Sequence, residues 1–500
     1  MESNLKDNSN ITLEERNTLQ KTFKPHWIWA IALGSAIGWG AFVQPINWMS
    51  AAGPLGVILG FFIGALLMIL IAVSYGSLIQ SFPVSGGEFA YAYVSLGRTH
   101  AFISGWFLTL GYICIVALNA SAFALMIKFI FPRIIENIPL YQIAGWDVYL
   151  AEVFVAAVVL IAFGFFNIRG TTLSGGMQFI FCIIMIAAIF ILLLLVGIQP
   201  GAGFSNITPM FPAETTAIAA VISIVAIAPW AYVGFDNVPQ AAEEFDFPSS
   251  KAFKLIVFAI LVAAALYSLM IIVTAMVRPW EGVVEENHIW GTGYIIENLL
   301  GPLGLAILAV ALTMGIFTGL NGFIISSSRL LFAMSRAKII PKGFSRLHPK
   351  YNTPYLGIIF AVIVAMLSPW FGREALMWVV DMSSIGVTIA YFYTCYAAFT
   401  LFKMKKDHTF NEKKHIEAPG KKVIAILGMI ASVIFLSLLL IPGSPAFLGV
   451  ESRIALIAWI VLGIIFYIIK RKDFNKIPEK ELNYYILGKE EIEIERDENN

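Results

Sequence analysis

Residues 34 to 42 read Gly34-Ser35-Ala36-Ile37-Gly38-Trp39-Gly40-Ala41-Phe42, in the middle of the first apolar stretch of a 500-residue chain. Glycine weakens a helix by ~1 kcal/mol relative to alanine at each position, and Gly34, Gly38 and Gly40 stand close together here. The surrounding stretch, Trp27 to Met49, carries no charge and is long enough to cross a ~30 Å hydrocarbon core at ~1.5 Å per residue. Lipid offers no water to satisfy a broken backbone. A break at this depth is stable only when protein surrounds it, so the stretch predicts a binding site made of backbone.

Composition agrees with a membrane setting. The chain is 59% hydrophobic and 13% charged with a mean hydropathy of +0.80, against ~25% charged in soluble proteins. A net charge of +1 offers no purchase on nucleic acid, and no Walker A, zinc-protease or zinc-ribbon spacing occurs. No cofactor or metal is therefore expected. Cys114, Cys182 and Cys395 fall in apolar segments far apart and read as small core residues. The histidines (His26, His100, His288, His348, His408, His415) sit at segment ends and loops. Without a convergent His, Asp or Cys constellation in the spans, an enzyme is not expected.

The chain reads as all-α and polytopic, with twelve transmembrane helices. A polar tail (1–26) without a signal-peptide pattern precedes spans at about 27–49, 54–80, 101–131, 147–168 and 173–197. Further spans fall at about 216–242, 253–277, 302–328, 355–371 and 374–402. The second carries Gly56, Gly60 and Gly64, a ridge suited to close helix approach. A basic loop (403–422), two more helices (within 423–469) and a charged, mobile tail (470–500) complete the chain. All but five lysines and arginines (Lys128, Arg133, Arg278, Arg373, Arg453) fall in the termini and alternate loops. That bias places both termini in the cytoplasm of a cell-membrane protein.

A second interruption lies in the sixth span, at Ala228-Pro229-Trp230-Ala231-Tyr232-Val233-Gly234. Proline removes a helical hydrogen bond, and Gly234 lets the chain leave the helix. Both breaks lie ~12–20 Å into the membrane. They occupy the same ordinal place in residues 27–198 and 216–402, with opposite orientation, as expected of two inverted five-helix repeats forming a ten-helix core.

An interrupted helix leaves N–H groups bare on one side and carbonyls on the other. A zwitterion has a carboxylate for the first and an ammonium for the second. The expected substrate contacts are Ser35, Ala36, Ile37, Gly38, Trp39, Gly40, Ala228, Trp230, Ala231, Tyr232 and Gly234, with Trp39, Trp230 and Tyr232 giving side-chain specificity. Thr318 and Asn321 face the same region either as ligands of a coupling ion, whose identity stays open, or as ordinary interhelical hydrogen-bonding groups. Asp236 reads as a helix cap or a proton carrier, and Asp381 as a vestibule group or an internal partner. Arg329 and Arg336 read as anchors at the end of span eight.

Four motifs together resemble the amino acid, polyamine and organocation transporters. They are Gly-Ser-x-Ile-Gly-x-Gly-x-Phe (34–42), Pro-x-Ser-Gly-Gly-x-Phe-x-Tyr (83–91), Trp230-Ala231-Tyr232-x-Gly234-Phe235-Asp236 with Glu243-Glu244, and Ser327-Ser328-Arg329-Leu330-Leu331-Phe332-Ala333-Met334-Ser335-Arg336. The resemblance spans the first ten helices. It implies a LeuT-like fold, alternating access, an amino-acid or amine substrate, and an aromatic gate at Trp230. Trp39 departs from the family, which more often has a small residue there. Where some members place a lysine in span five, counting from Asn167 and Gly170 puts Met185 here. The chain is thus expected to be a secondary transporter of amino acids. Alternatives are a transporter or exchanger of decarboxylated amines or polyamines, and a non-transporting nutrient sensor. The expected partners are a small-molecule substrate and the lipid bilayer.

Overall fold

The computed structural model describes residues 16–489 except 144, 287, 289, 373, 404–418 and 445. Most of the basic segment expected at 403–422 lies outside the described residues.

Helix α1 (Pro25–Ile37) begins with proline, whose missing N–H costs nothing in a first turn. It stops at Gly38, whose φ of 49° and ψ of −147° suit a residue without Cβ. The chain resumes in α2 (Gly40–Val43) and α3 (Pro45–Ser81), and α3 bends at Gly53, beside Pro54. The span read from residue 54 is the part beyond this bend. Helices α4 (Gly87–Leu96), α5 (Arg98–Ile130) and α6 (Pro132–Ile135) follow. An antiparallel hairpin, β1 (Pro139–Ile143) with β2 (Trp146–Tyr149), occupies the start expected for span four. Its helix, α7 (Leu150–Ile168), begins at Leu150 and turns tightly into α8 (Thr171–Gly197).

The sixth apolar segment is divided as predicted, and more extensively. It comprises α9 (Ala217–Ala226), capped by the Thr216 side chain, then α10 (Ala228–Ala231), an irregular stretch, and α11 (Asn237–Gln240). Beyond it run α12 (Ala252–Val277), α13 (Trp280–Glu285), α14 (Gly291–Arg336, bent at Gly301), α15 (Tyr355–Ala365), α16 (Glu374–Lys403), α17 (Pro419–Leu440), α18 (Val450–Lys476) and α19 (Glu479–Leu487). Among the described residues, nine helices are long and apolar enough to cross a membrane. The difference from twelve falls at the two interrupted segments and at 355–371, where breaks or short length leave only partial helices.

The glycine ridge explains how span two meets the second break. A Cβ on Gly60 would stand 2.5 Å from Cβ of Ile224, and one on Gly64 2.7 Å from Cβ of Ala228. Helix α3 therefore lies directly on α9 and α10. Helix α14 backs α1, α5 and α8, while Leu66, Leu194 and Ile468 are exposed to the surroundings on the outside of the bundle.

The described parts of both tails are built into the structure. Thr22 and Phe23 donate their N–H groups to Glu244 O at 2.9 Å, and Asp246 N–H donates to Phe23 O. At the other end α18 runs on to Lys476, and α19 buries Leu482, Tyr485 and Ile486, an i, i+3, i+4 stripe. Tyr93 donates to Asn483 Oδ1 at 2.7 Å, and Arg98 donates to Phe474 O and Ile477 O. The mobile tail expected from residue 470 is thus replaced, up to residue 489, by packed helix. A single apolar stripe on a highly charged helix escapes averaged hydropathy.

Candidate substrate site at two broken helices

The two interruptions touch. A Cβ at Gly234, whose φ is 139°, would stand 2.6 Å from Ala36 N and 2.8 Å from Ser35 Cβ. Only a bare backbone fits there. On α12 the Tyr267 hydroxyl shares its proton between Ala36 O at 2.8 Å and Ala231 O at 2.9 Å, one carbonyl from each break. Past Gly38, the N–H groups of Trp39, Gly40 and Ala41 have no backbone acceptor among the described residues. Gln44 N bonds Gly40 O and Trp48 N bonds Gln44 O, so α2 and the first turns of α3 form one half-helix.

Around the junction lie polar side-chain atoms that are buried and lack a partner among the described residues. They are Ser35 Oγ, Asn119 Oδ1 and both amide atoms of Asn237. Glycines on α14 admit them: a Cβ at Gly322 would stand 1.9 Å from Ser35 Oγ, and one at Gly319 2.7 Å from the Asn119 amide. Gly315 meets the Gly38 carbonyl in the same way, at 2.2 Å. Asn119 and Asn237 escape sequence reasoning because an isolated amide in an apolar span is indistinguishable from an interhelical hydrogen-bonding group.

Trp39 and Trp230 meet edge to face, with ring centroids 6.1 Å apart, a favoured aromatic geometry. Gly40 makes room for the Trp230 ring, a Cβ there lying 2.8 Å from Cη2. Trp39 also borders a cavity of about 230 Å³ lined by Gln44, Asn47, Met126, Phe129 and Trp290 among others. Tyr232 behaves differently from the expectation for a specificity residue. Its hydroxyl donates to Phe61 O at 2.7 Å, turning its fully buried ring toward α3. Ile37 is buried in the core, and Ala228 packs on Gly64. Ser35, Ala36, Ala231 and Gly234 meet at the junction, directly or through Tyr267, while Gly38 packs on Gly315 and Gly40 on the Trp230 ring.

Thr318 donates near Gly34 O at 2.9 Å, with Met314 O and Gly315 O of its own helix at similar distances. Asn321 donates to Ser174 O and Gln178 Oε1 and accepts from Asn167 Nδ2. Both side chains are therefore engaged in interhelical hydrogen bonds. In span five Met185 is fully buried, and Gln178, two turns before it, donates its Nε2 to Ala30 O and Thr318 O at 3.1 Å.

Asp236 is not an end cap of α11. Its Oδ1 accepts from Gly234 N–H at 2.7 Å and so fastens the break itself. Asp381 pairs internally, accepting from Ser452 Oγ at 2.6 Å. The arginines of α14 are clamps and not anchors at a lipid interface. Fully buried Arg329 holds Glu244 through Nε at 2.8 Å and Nη2 at 3.2 Å, and Arg336 holds both oxygens of Glu243 at 3.0 Å. Arg16 adds a third contact to Glu243 at 3.4 Å. Burial pushes the Glu243 carboxyl up, but Arg336 and then Arg16 outweigh it and hold it at about 2.

A bundle of membrane-length apolar helices around two broken helices is that of a multi-pass membrane protein, and its family and relatives are transporters and not enzymes. Residues 28–467 match the amino acid permease family profile, and the chain belongs to that family. It is 25% identical over 461 residues to the branched-chain amino acid permease BcaP of Bacillus subtilis, covering 90% of this chain and 92% of the relative. The methylthioribose transporter of the same organism is 24% identical, with 91% and 94% covered. The aromatic amino acid transport protein AroP of Escherichia coli O157:H7 is 25% identical, with 70% and 74% covered.

Proposed function

We propose that this chain is a secondary transporter of amino acids in the cell membrane, working by alternating access around the paired breaks. The observation that carries this reading is the meeting of Gly234 with Ser35 and Ala36, ringed by the unpartnered polar atoms of Ser35, Asn119 and Asn237. Buried polar groups are normally satisfied, and here an amino acid supplies their partners. Its carboxylate is held by the N–H groups of Trp39, Gly40 and Ala41 at the start of a half-helix. Its ammonium is held by carbonyls of the two breaks, and its side chain lies against Trp39 and Trp230, with Trp230 as the gate. The backbones of Ile37, Ala228 and Tyr232 complete the site.

In this reading the chain crosses the membrane twelve times. Two inverted five-helix repeats (27–198 and 216–402) form the transport core, α17 and α18 lie beside it, and both termini are cytoplasmic. The pairs of Glu243 and Glu244 with α14 close the cytoplasmic side, and the cavity above Trp39 is the external approach. Thr318 and Asn321 support the helix contacts beside the site.

Purified protein in liposomes tests the reading. Uptake or exchange of at least one member of a panel of amino acids, amines and methylthioribose is expected. Trp230→Ala is expected to remain inserted and folded and to lose most of that uptake. A protein that moves nothing on the panel refutes the reading, and unchanged kinetics in the variant remove Trp230 from the gate.

A further inference from the structure

A second cavity, of about 300 Å³, lies on the face that carries both described tails. Three stretches far apart in the chain line it: Asn17 of the N-terminal segment, Tyr485 of α19, and Arg336, Lys338, Lys342 and Arg346 from the end of α14 and the loop beyond. Hydrogen bonds already tie these stretches together. Arg336 Nη1 donates to Asn17 O at 3.0 Å, Asn17 Nδ2 donates to Ser345 O at 3.0 Å, and Lys338 Nζ donates to Glu481 Oε1 at 2.5 Å. Arg16 Nε donates to Tyr485 O at 3.3 Å.

The described residues that line the cavity include four cations and no carboxylate. Glu243 and Glu481, behind it, pair with Arg336 and Lys338, whereas Arg346 has no ion pair among the described residues. The carbonyl end of α14 favours cations in its last turn. That accounts for Arg336 but not for Arg346, in the loop beyond. Two buried groups of the lining also lack a partner among the described residues: Arg336 Nε and the Tyr485 hydroxyl, in residues only 5% and 4% exposed. Buried polar groups are normally hydrogen-bonded, so the lining is built for an acceptor that comes from elsewhere. Burial, and then the charge of Arg336, pull the neighbouring Arg16 guanidinium down to about 10, a sign of crowded positive charge.

We propose that this cavity binds a phosphate-bearing anion, which accepts from Arg346 and the Tyr485 hydroxyl and so joins α19 to the loop after α14. Lys338 and Lys342 add charge at its side. Guanidinium and ammonium groups are donors only, and the planar fork of arginine matches phosphate oxygens. The volume reaches the lower end of ligand-sized pockets, ~300–1,000 Å³, which suits a diphosphate or a phosphate headgroup. The site does not rest on the transport reading and stands or falls apart from it.

The test uses full-length protein in an uncharged detergent, with thermal unfolding followed during titration by pyrophosphate, by phosphatidylglycerol and by phosphatidylcholine. A saturable rise in melting temperature with pyrophosphate or phosphatidylglycerol is expected, and none with phosphatidylcholine. A response to pyrophosphate identifies a soluble ligand, and one to phosphatidylglycerol alone a lipid headgroup. No response to either anion overturns the proposal, as does an equal response to phosphatidylcholine. Tyr485→Phe removes a hydroxyl that has no partner in the free protein, so its own melting temperature is expected to hold while affinity for the anion falls about tenfold. Arg346→Gln is expected to weaken binding similarly, and wild-type affinity in both variants overturns the proposal. Hydrogen exchange of the α19 amides reads the bridge without any variant: the anion is expected to slow it, and unaltered exchange overturns the proposal. Residues 490–500, which follow α19, are rich in Glu and Asp. If the full chain ignores both anions and a chain ending at Lys489 binds pyrophosphate, the proposal is overturned in favour of that acidic stretch as the occupant.

Discussion

Tyr267 holds one carbonyl from each broken helix with a single hydroxyl, and its ring stacks on Phe61 at a centroid distance of 4.6 Å. Tyr267→Phe keeps the stack and strips both carbonyls of a donor. An unsatisfied buried polar group is unfavourable by ~1–3 kcal/mol, so the variant is expected to melt at lower temperature and to bind substrate more weakly. An unchanged melting temperature and an unchanged KM for uptake would show that the hydroxyl is dispensable. Trp39, Trp230 and the glycines were legible in the sequence because their effect is local: they break helices or carry large rings where they stand. Tyr267, Asn119, Asn237 and Gln178 were not. Each acts on a partner from another part of the chain, and nothing in its own neighbourhood distinguishes it from a residue that merely packs.

At the scale of elements, the register of α3 against α9 and α10 positions the second break. Gly64 faces Cβ of Ala228 at a distance that leaves no room for a methyl group. Gly64→Ala would gain intrinsic helix propensity but overpack the contact, at a typical loss of ~1–3 kcal/mol. The expected outcome is a lower melting temperature together with slower uptake, measured on the same preparation. A more stable variant with normal transport would show that α3 and α10 are free to separate. The ridge was readable as a close-approach motif, but its partner was not, because many helices could have occupied that groove. The same holds for α19, whose apolar stripe was hidden by its charges until α14 stood beside it and Tyr93 of α4 reached Asn483.

For the whole molecule, closure of the face that carries both described tails depends on the cluster of Arg16, Glu243 and Arg336. Glu243, held at about 2, lies below the ~4.3 of an unfolded glutamate. Its contribution to stability is therefore fully present above the unfolded value and is lost as pH falls through about 4 toward 2. Thermal unfolding of the wild type and of Glu243→Gln is expected to differ most near neutral pH, with the gap narrowing over that acidic window. A gap independent of pH would mean that shape, and not charge, makes the contact.

The sequence by itself determined the membrane class, the place of both interruptions and most of the helix boundaries. These follow from solvent and backbone chemistry: an apolar stretch must be buried in lipid or protein, and glycine or proline acts on its own turn. Only the tertiary structure decided that the two breaks touch, that Tyr267 fastens them, that Tyr232 turns away, and that Arg329 and Arg336 bind Glu244 and Glu243. Those outcomes depend on which helices become neighbours, and a side chain's partner across the bundle is a property of packing that no local stretch of sequence contains.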